Sequence, residues 1–489
     1  MNRTASSSFL WHDYETFGAD PRRDRPCQFA AIRTDADFNE IGEPVMFYSV
    51  PADDFLPHPM AVLITGITPQ QARAEGYPES EFAGQIEQLM SEPNTCVVGY
   101  NSLRFDDEVT RHLFYRNFID PYAREWKNGN SRWDLIDIVR ATYALRPEGI
   151  NWPKKEDGSP SFRLEDLTAA NGIAHGAAAH DALADVRATI ALARLLKQAQ
   201  PRLFDHLFSQ RGKHQVAAAL HLDDPRPLLH ISSRFPATRG CAAIVLPLAR
   251  HLTNPNGVIV YDLSENPQEL LTLSADEIRQ RVFVSSAELE AQGLKRIPLK
   301  LVHLNRCPVI LPVKALEPAI AERLGMDLAL NESHWQQLKT LDAGLIARLQ
   351  QVFADGQGGF KDDGDPDLML YSGAFFSSAD RQRFQQIRFT SPEELGELEL
   401  VFDDPRVEEM LFRYRARNWP EYLTSTERER WDELRWQRFN SANLSGLTLQ
   451  GLQQELIRLS QQGLPEDQLF LLQELQLWVE SMLPLQFME

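Results

Sequence analysis

The sequence predicts three successive architectures: an α/β sheet domain over residues 1–200, a small β-rich domain over 201–352 and a helical domain over 353–489. Three observations carry that prediction. Strand-like and helix-like segments alternate up to residue 200, short β segments joined by a turn follow, and capped amphipathic helices fill the last third.

In the first segment "SSFLWHDYE", "CQFAAIRTD" and "PVMFYSV" are apolar and β-prone, so they read as strands. "PESEFAGQIEQLM" has helical spacing, "TCVVGYN" is a further strand, and "DDEVTRHLFYRNF" is a further helix. "SFRLEDLTAANGI" takes Ser161 as N-cap and ends at Asn171-Gly172, and "HDALADVRATIALARLLKQAQ" runs until Pro201 halts it. That proline marks the first boundary. Beyond it "RPLLHISSRF", "AAIVLPLA" and "GVIVYDLS" are β segments, with "NPNG" at 254–257 supplying an Asn-Gly turn, and a small barrel or sandwich is expected. The stretch 353–369 is rich in Gly and Asp and reads as a loop. It is not a calcium loop, because its glycine falls too early and Pro366 interrupts. "SPEELGELE", "RVEEMLFRYRARN", "STERERWDELRWQRF" and "LPEDQLFLLQELQLWVESML" are helical by periodicity and capping.

At 489 residues, 43% hydrophobic and 24% charged, the chain has material for several cores. Its longest apolar stretch, "AAIVLPLA", is far short of the roughly 20 residues a membrane helix needs, so no membrane partner is expected. Cys27, Cys96, Cys241 and Cys307 are widely separated, which suggests neither a zinc site nor a disulfide framework and favours the cytoplasm. The net charge of −19 argues superficially against a nucleic-acid partner, but its distribution matters more than the total. Residues 201–310 hold 13 Lys+Arg against 10 Asp+Glu, with six histidines, inside an otherwise acidic chain. A local positive surface is compatible with that.

Asp13 and Glu15 are two apart on a strand and therefore share a face. Alone they carry little, since exposed or salt-bridged acids have the same spacing. Asp106 follows the strand "TCVVGYN", and "HDALAD" brings His180 and Asp185 to the start of a helix. Carboxylates brought together raise one another's pKa unless cations lie between them. Hard oxygen donors without cysteine favour Mg²⁺, with Mn²⁺ as a substitute, and two such ions about 4 Å apart suit phosphodiester hydrolysis. His180, with a near-neutral pKa, suits removal of a water proton.

"HDYET", "NSLRFDD" and "HDALAD" resemble the three motifs of DEDD-superfamily exonucleases of the His variant, on an RNase H-like sheet. "LITGITPQ", "NSRWDLIDIVRATYALRPEGINWP" and "SFRLEDLTAANGIAH" extend the likeness to the bacterial exodeoxyribonuclease I family, over essentially the whole chain. The resemblance implies an SH3-like β domain and a helical domain that complete a C-shaped clamp. It implies metal-dependent 3′→5′ hydrolysis of single-stranded DNA to 5′-mononucleotides in DNA repair and recombination, by a monomer that docks the C-terminal tail of the single-stranded DNA-binding protein. Carried over residue by residue, it makes Asp13, Glu15, Asp106 and Asp185 metal ligands and His180 the base. Glu15 and Arg163 are then substrate contacts; the alternative for Arg163 is a surface pair with Glu165 or Asp166. The Ala-rich "AHGAAAHD" leaves the placement of His180 open.

A single strand is held by cations and stacking rings. The expected contacts are Arg111, Tyr122, Trp126 and Arg140, with Lys213, Asn256, Lys300 and Tyr371 beyond them. Trp133 reads as core, and "RYRARN" at 413–418 as a source of structural ion pairs. Two rivals remain: an oligoribonuclease or proofreading subunit on the same sheet, which has no need of the roughly 290 residues after 200, and a non-catalytic strand-binding protein, which has no need of five catalytic positions.

Overall fold

The stretch from Ser8 to Thr16 forms a strand, β1, whose side chains are covered on both faces nearly throughout. In a computed structural model, which describes residues 7–174, 181–339, 342–354 and 364–483, β1 is flanked by β2 (Pro26–Thr34) and β4 (Thr95–Gly99), with β3 (Val45–Tyr48) beyond β2. β1 runs antiparallel to β2 and parallel to β4. Burial on both faces explains why its sequence is a continuous apolar run. The helices Glu79–Met90 and Asp106–Arg116 give Phe82, Ile86, Val109 and Leu113 to one core with Leu10, Tyr14 and Phe29.

The chain sorts into two compact units, one of residues 1–131, 175–190 and 360–489, the other of 132–174 and 191–359. In the first, the C-terminal helices Leu449–Ser460 and Glu466–Met482 pack Leu452, Leu475 and Trp478 against Phe17, Val62 and Ile67. Helix Arg406–Asn418 buries Val407, Met410 and Tyr414 against Tyr115 and Phe118. Its arginines are structural, as the sequence suggests. Arg413 meets Asp365 at 2.5 Å, Arg417 meets Asp54 at 2.8 Å and also pairs with Asp367, and Arg415 meets Glu427 at 2.5 Å.

A short strand, β5 (Ser131–Asp134), begins where the first stretch of that unit ends. The second unit contains a five-stranded antiparallel sheet of β6 (Leu228–Ile231), β7 (Ala242–Arg250), β8 (Gly257–Asp262), β9 (Leu299–His303) and β10 (Val309–Pro312), in the order β10-β6-β7-β8-β9. Trp133 is core, packed edge-on against Phe204 and Phe208. Several local expectations need correction. The β-rich segment also holds helices, among them Ala275–Phe283, Leu328–Leu338 and Ala343–Ala354. The β7–β8 turn has no left-handed Asn256 or Gly257; Gly257 N–H donates to Asn254 O at 2.9 Å, and His251 Nδ1 accepts from the amides of Thr253 and Asn254. Ser161 is not an N-cap, because the helix starts at Leu164 and Ser161 donates to Asp166 at 2.5 Å. Pro201 ends one helix and opens the next, Pro201–Ser209. "SPEELGELE" forms turns rather than a helix.

Candidate active site

Asp13 and Glu15 project from the same face of β1, opposite Ala30 and Gln28 of β2. Tyr14, between them, faces the other way, and its hydroxyl lies 3.0 Å from Thr110 Oγ1, which donates to the carbonyl of Asp106 at 2.8 Å. The strand is thereby tied to the helix that Asp106 begins. That helix follows β4 after a tight passage at Gly99, where a Cβ would lie 2.7 Å from Ser102 Cβ and 3.1 Å from His12 O. Glycine is what lets the two strands approach here. The third piece is helix Ala182–Ala199, whose first amide donates to Gln28 Oε1 at 3.3 Å. Gln28 therefore fixes the entry of Asp185 relative to its own register partner, Glu15.

These ties bring carboxylate oxygens of Asp13, Glu15 and Asp185 within 4.8 Å of one another. Asp106, also buried, adds its charge to the same place. Burial, then Asp106, Glu15 and Asp185, hold the Asp13 carboxyl well above the ordinary range. Glu15 is likewise pushed up, by burial and then by Asp185, Asp106 and Asp181. An all-oxygen cradle whose members resist ionising together fits a divalent cation, which removes the repulsion by occupying the space between them. Gln28 and Asp181 escaped the sequence reading. Asp181 stands inside the quoted "HDALAD", whereas nothing in one sequence marks Gln28. His180 lies outside the described residues.

The proposed strand contacts have varied surroundings. Trp126 is 68% exposed, an indole with no core to cover it. Arg111 is buried and already committed: it forks Glu125 at 2.8 and 3.1 Å and donates to Glu108 at 2.8 Å, with its guanidinium 5.3 Å from the Tyr122 ring centre. A phosphate arriving there meets a guanidinium already neutralised. Tyr371 donates to Glu108 at 2.6 Å. In the second unit Arg140 is buried against Asp137 at 2.6 Å, so it too is not the free cation that its sequence suggests. Arg163 is exposed at the start of Leu164–Ala170, and Asp166 accepts from Ser161. Lys213 is exposed; Asn256 accepts from Leu304 N–H through its carbonyl; Lys300 sits 2.6 Å from His230 Nε2 and over the Phe235 ring.

Three family models match successive parts of the chain: an exonuclease domain over residues 10–193, an exonuclease I SH3-like domain over 211–355 and an exonuclease I C-terminal domain over 364–482. Exodeoxyribonuclease I of Escherichia coli strain K12 is 51% identical over 443 residues, 90% of this chain and 91% of that protein. The chain belongs to the exodeoxyribonuclease I family. Two solved structures of E. coli exonuclease I superpose on it with 98% of this chain and 100% of the other covered, a complex with a dA16 oligonucleotide (TM-score 0.93, 48% identity) and a zinc-bound form with single-stranded DNA (0.91, 48%), and an SSB/exonuclease I structure with an inhibitor does so with the same coverage (0.89, 47%). Membership makes this chain a hydrolytic nuclease with an RNase H-like exonuclease domain, and the acidic cradle falls inside that domain. Among the described residues no helix is long and apolar enough to cross a membrane.

Proposed function

We propose that this chain is a divalent-metal-dependent 3′→5′ exonuclease of single-stranded DNA that releases 5′-mononucleotides during repair and recombination. The observation that carries the reading is the convergence of Asp13, Glu15 and Asp185 within 4.8 Å inside an exonuclease domain. Asp13, Glu15, Asp106 and Asp185 would hold two ions, Mg²⁺ in the cell and Mn²⁺ as a substitute. When bound, such ions supply Lewis-acid activation of water and charge stabilisation at the leaving oxygen. His180 accepts the water proton, Glu15 orients the 3′-terminal residue, and Arg163 holds the phosphate by charge-assisted hydrogen bonds. Trp126 and Tyr122 offer stacking faces to the strand, with Arg140, Lys213, Asn256 and Lys300 along its path. Arg111, tied to Glu125 and Glu108, backs the Tyr122 ring rather than meeting the phosphates itself.

The chain is proposed to work as a monomer of three parts, over 1–200, 201–352 and 353–489, and to dock the C-terminal tail of the single-stranded DNA-binding protein. The solved SSB/exonuclease I structure, 47% identical to this chain, supports that partner. Four free cysteines with no pairing support a reducing cytoplasm. The test uses oligonucleotides labelled at one end or the other, with Mg²⁺ or with EDTA. Prompt metal-dependent loss of the 3′ label as mononucleotide supports the reading; internal cuts, or equal activity on RNA, overturn it.

A further inference from the structure

Helix Asp106–Arg116 begins with a proposed metal ligand, and its N-cap, Phe105, offers no capping side chain. Its first turn is held from elsewhere. Asp107 accepts from Arg124 at 2.5 Å. Glu108 Oε1 accepts from Arg111 at 2.8 Å, while Glu108 Oε2 accepts from the Tyr371 hydroxyl at 2.6 Å. The same hydroxyl accepts from Arg111 Nη1 at 3.1 Å, and the Tyr371 ring meets His112 edge-on at 5.7 Å. Tyr371 comes from the C-terminal segment, 263 residues from Glu108, and touches this helix two residues from Asp106.

A hydroxyl that donates to Glu108 and accepts from Arg111 has both strong hydrogen-bonding roles filled within the protein. It is poorly placed to serve a passing phosphate and well placed to fix the helix. We propose that Tyr371 is a positioning residue for Asp106: by locking Glu108 it sets the rotation of the first helical turn, and so couples the C-terminal segment to the affinity of the acidic cradle for divalent metal. The inference rests on Asp106 being a metal ligand. It assigns Tyr371 to the metal site rather than to the DNA strand.

The experiment compares full-length wild type with Tyr371→Phe, which keeps the ring and loses the hydroxyl. Mn²⁺ binding is followed by electron paramagnetic resonance without substrate, and the affinity for a dT oligonucleotide is measured in EDTA. The expected result is Mn²⁺ affinity weakened about tenfold, the scale on which outer partners of metal ligands act, with unchanged oligonucleotide affinity. In a Glu108→Ala background the same change should have no further effect, since the path runs through Glu108. Unaltered Mn²⁺ affinity overturns the proposal, as does weakened oligonucleotide binding in EDTA, which would make Tyr371 a strand contact. Asp106→Asn separates the underlying reading: if it leaves Mn²⁺ binding intact, Asp106 is no ligand and the coupling falls with it.

Discussion

Glu15 combines two properties that a side chain chosen for stability would not. It is 8% exposed, and the charges that act on it, Asp185, Asp106 and Asp181, are all acids. Burial and like charge each disfavour its ionised form, so without metal the fold tolerates this group at a cost. Glu15→Gln keeps the shape and removes the charge. Activity should fall by at least about a hundredfold, because even outer partners of metal ligands reach that size, while the melting temperature in EDTA should rise, by the equivalent of about 1–3 kcal/mol. A variant that lost activity and stability together would point to a structural role for Glu15 instead. Trp126 is the opposite case, a large apolar ring at 68% exposure with no packing to lose. Trp126→Ala should weaken binding of a dT oligonucleotide by about 1–3 kcal/mol, the worth of one stacked base, with thermal stability unchanged. Equal affinity of the two proteins would remove Trp126 from the strand's path.

Among the elements, the passage from β4 into helix Asp106–Arg116 has the least tolerance. Gly99→Ala places a methyl 2.7 Å from Ser102 Cβ, a separation that real Cβ atoms do not adopt, and 3.1 Å from the His12 carbonyl. Relief requires β4 to move from β1 or the loop to shift Asp106, so a stability loss of about 1–3 kcal/mol is expected, together with weaker metal binding. Calorimetric titration with Mn²⁺ checks the second effect; intact binding would show that the loop absorbs the methyl without moving Asp106. Elements such as β1 and Asp106–Arg116 were legible in the sequence because their signals are local: an apolar run, helical spacing, an acid-rich first turn. The co-location of Asp13, Glu15, Asp106 and Asp185 was legible only through order and resemblance. What holds them was not legible, since the Tyr14–Thr110 contact and the Gln28–Ala182 hydrogen bond join residues 96 and 154 apart with no local pattern. Arg111 misled for the same reason. Its charge is visible in the sequence, but Glu125 fourteen residues on, which neutralises it, stands out only in the fold. "SPEELGELE" has helical composition yet only turns, a case of tertiary context overriding propensity.

Across the first unit, buried charges of opposite kinds give stability two opposed dependences on pH. Asp54 lies between Arg417, Arg438 and Arg25, Asp367 between Arg417, Arg413 and Arg438, and Glu79 is forked by Arg116 at 2.7 and 2.8 Å. Burial alone would push these carboxyls up, but the guanidiniums outweigh it: Glu79 is held down to about 2 and the other two lie below the ordinary range. For such groups the unfolded chain binds more protons than the native one between pH 4.5 and 2, so their stabilisation is complete above that window and lost as pH falls through it. Breaking this network should be severe, and Asp54→Asn, which leaves Arg417 and Arg438 with only the carboxylates of Asp367 and Asp365 to balance them, should cost about 3–5 kcal/mol. The acidic cradle has the reverse sign. Asp13 and Glu15 are raised, so the metal-free native state keeps protons that the unfolded chain has released, and stability in EDTA should decline as pH rises above the ordinary carboxylate range. Thermal unfolding from pH 3 to 9 should therefore show a maximum on the mildly acidic side in EDTA. Added Mg²⁺ should lift the alkaline limb and leave the acid limb in place, because the cradle is the cluster among the described residues suited to an ion, and at low pH protons displace it. Glu15→Gln should flatten the alkaline limb without metal, and Asp54→Asn should lower stability at every pH above the acid window and so flatten the acid limb. An alkaline limb that ignores both Mg²⁺ and Glu15→Gln would mean that the four carboxylates do not share a common space.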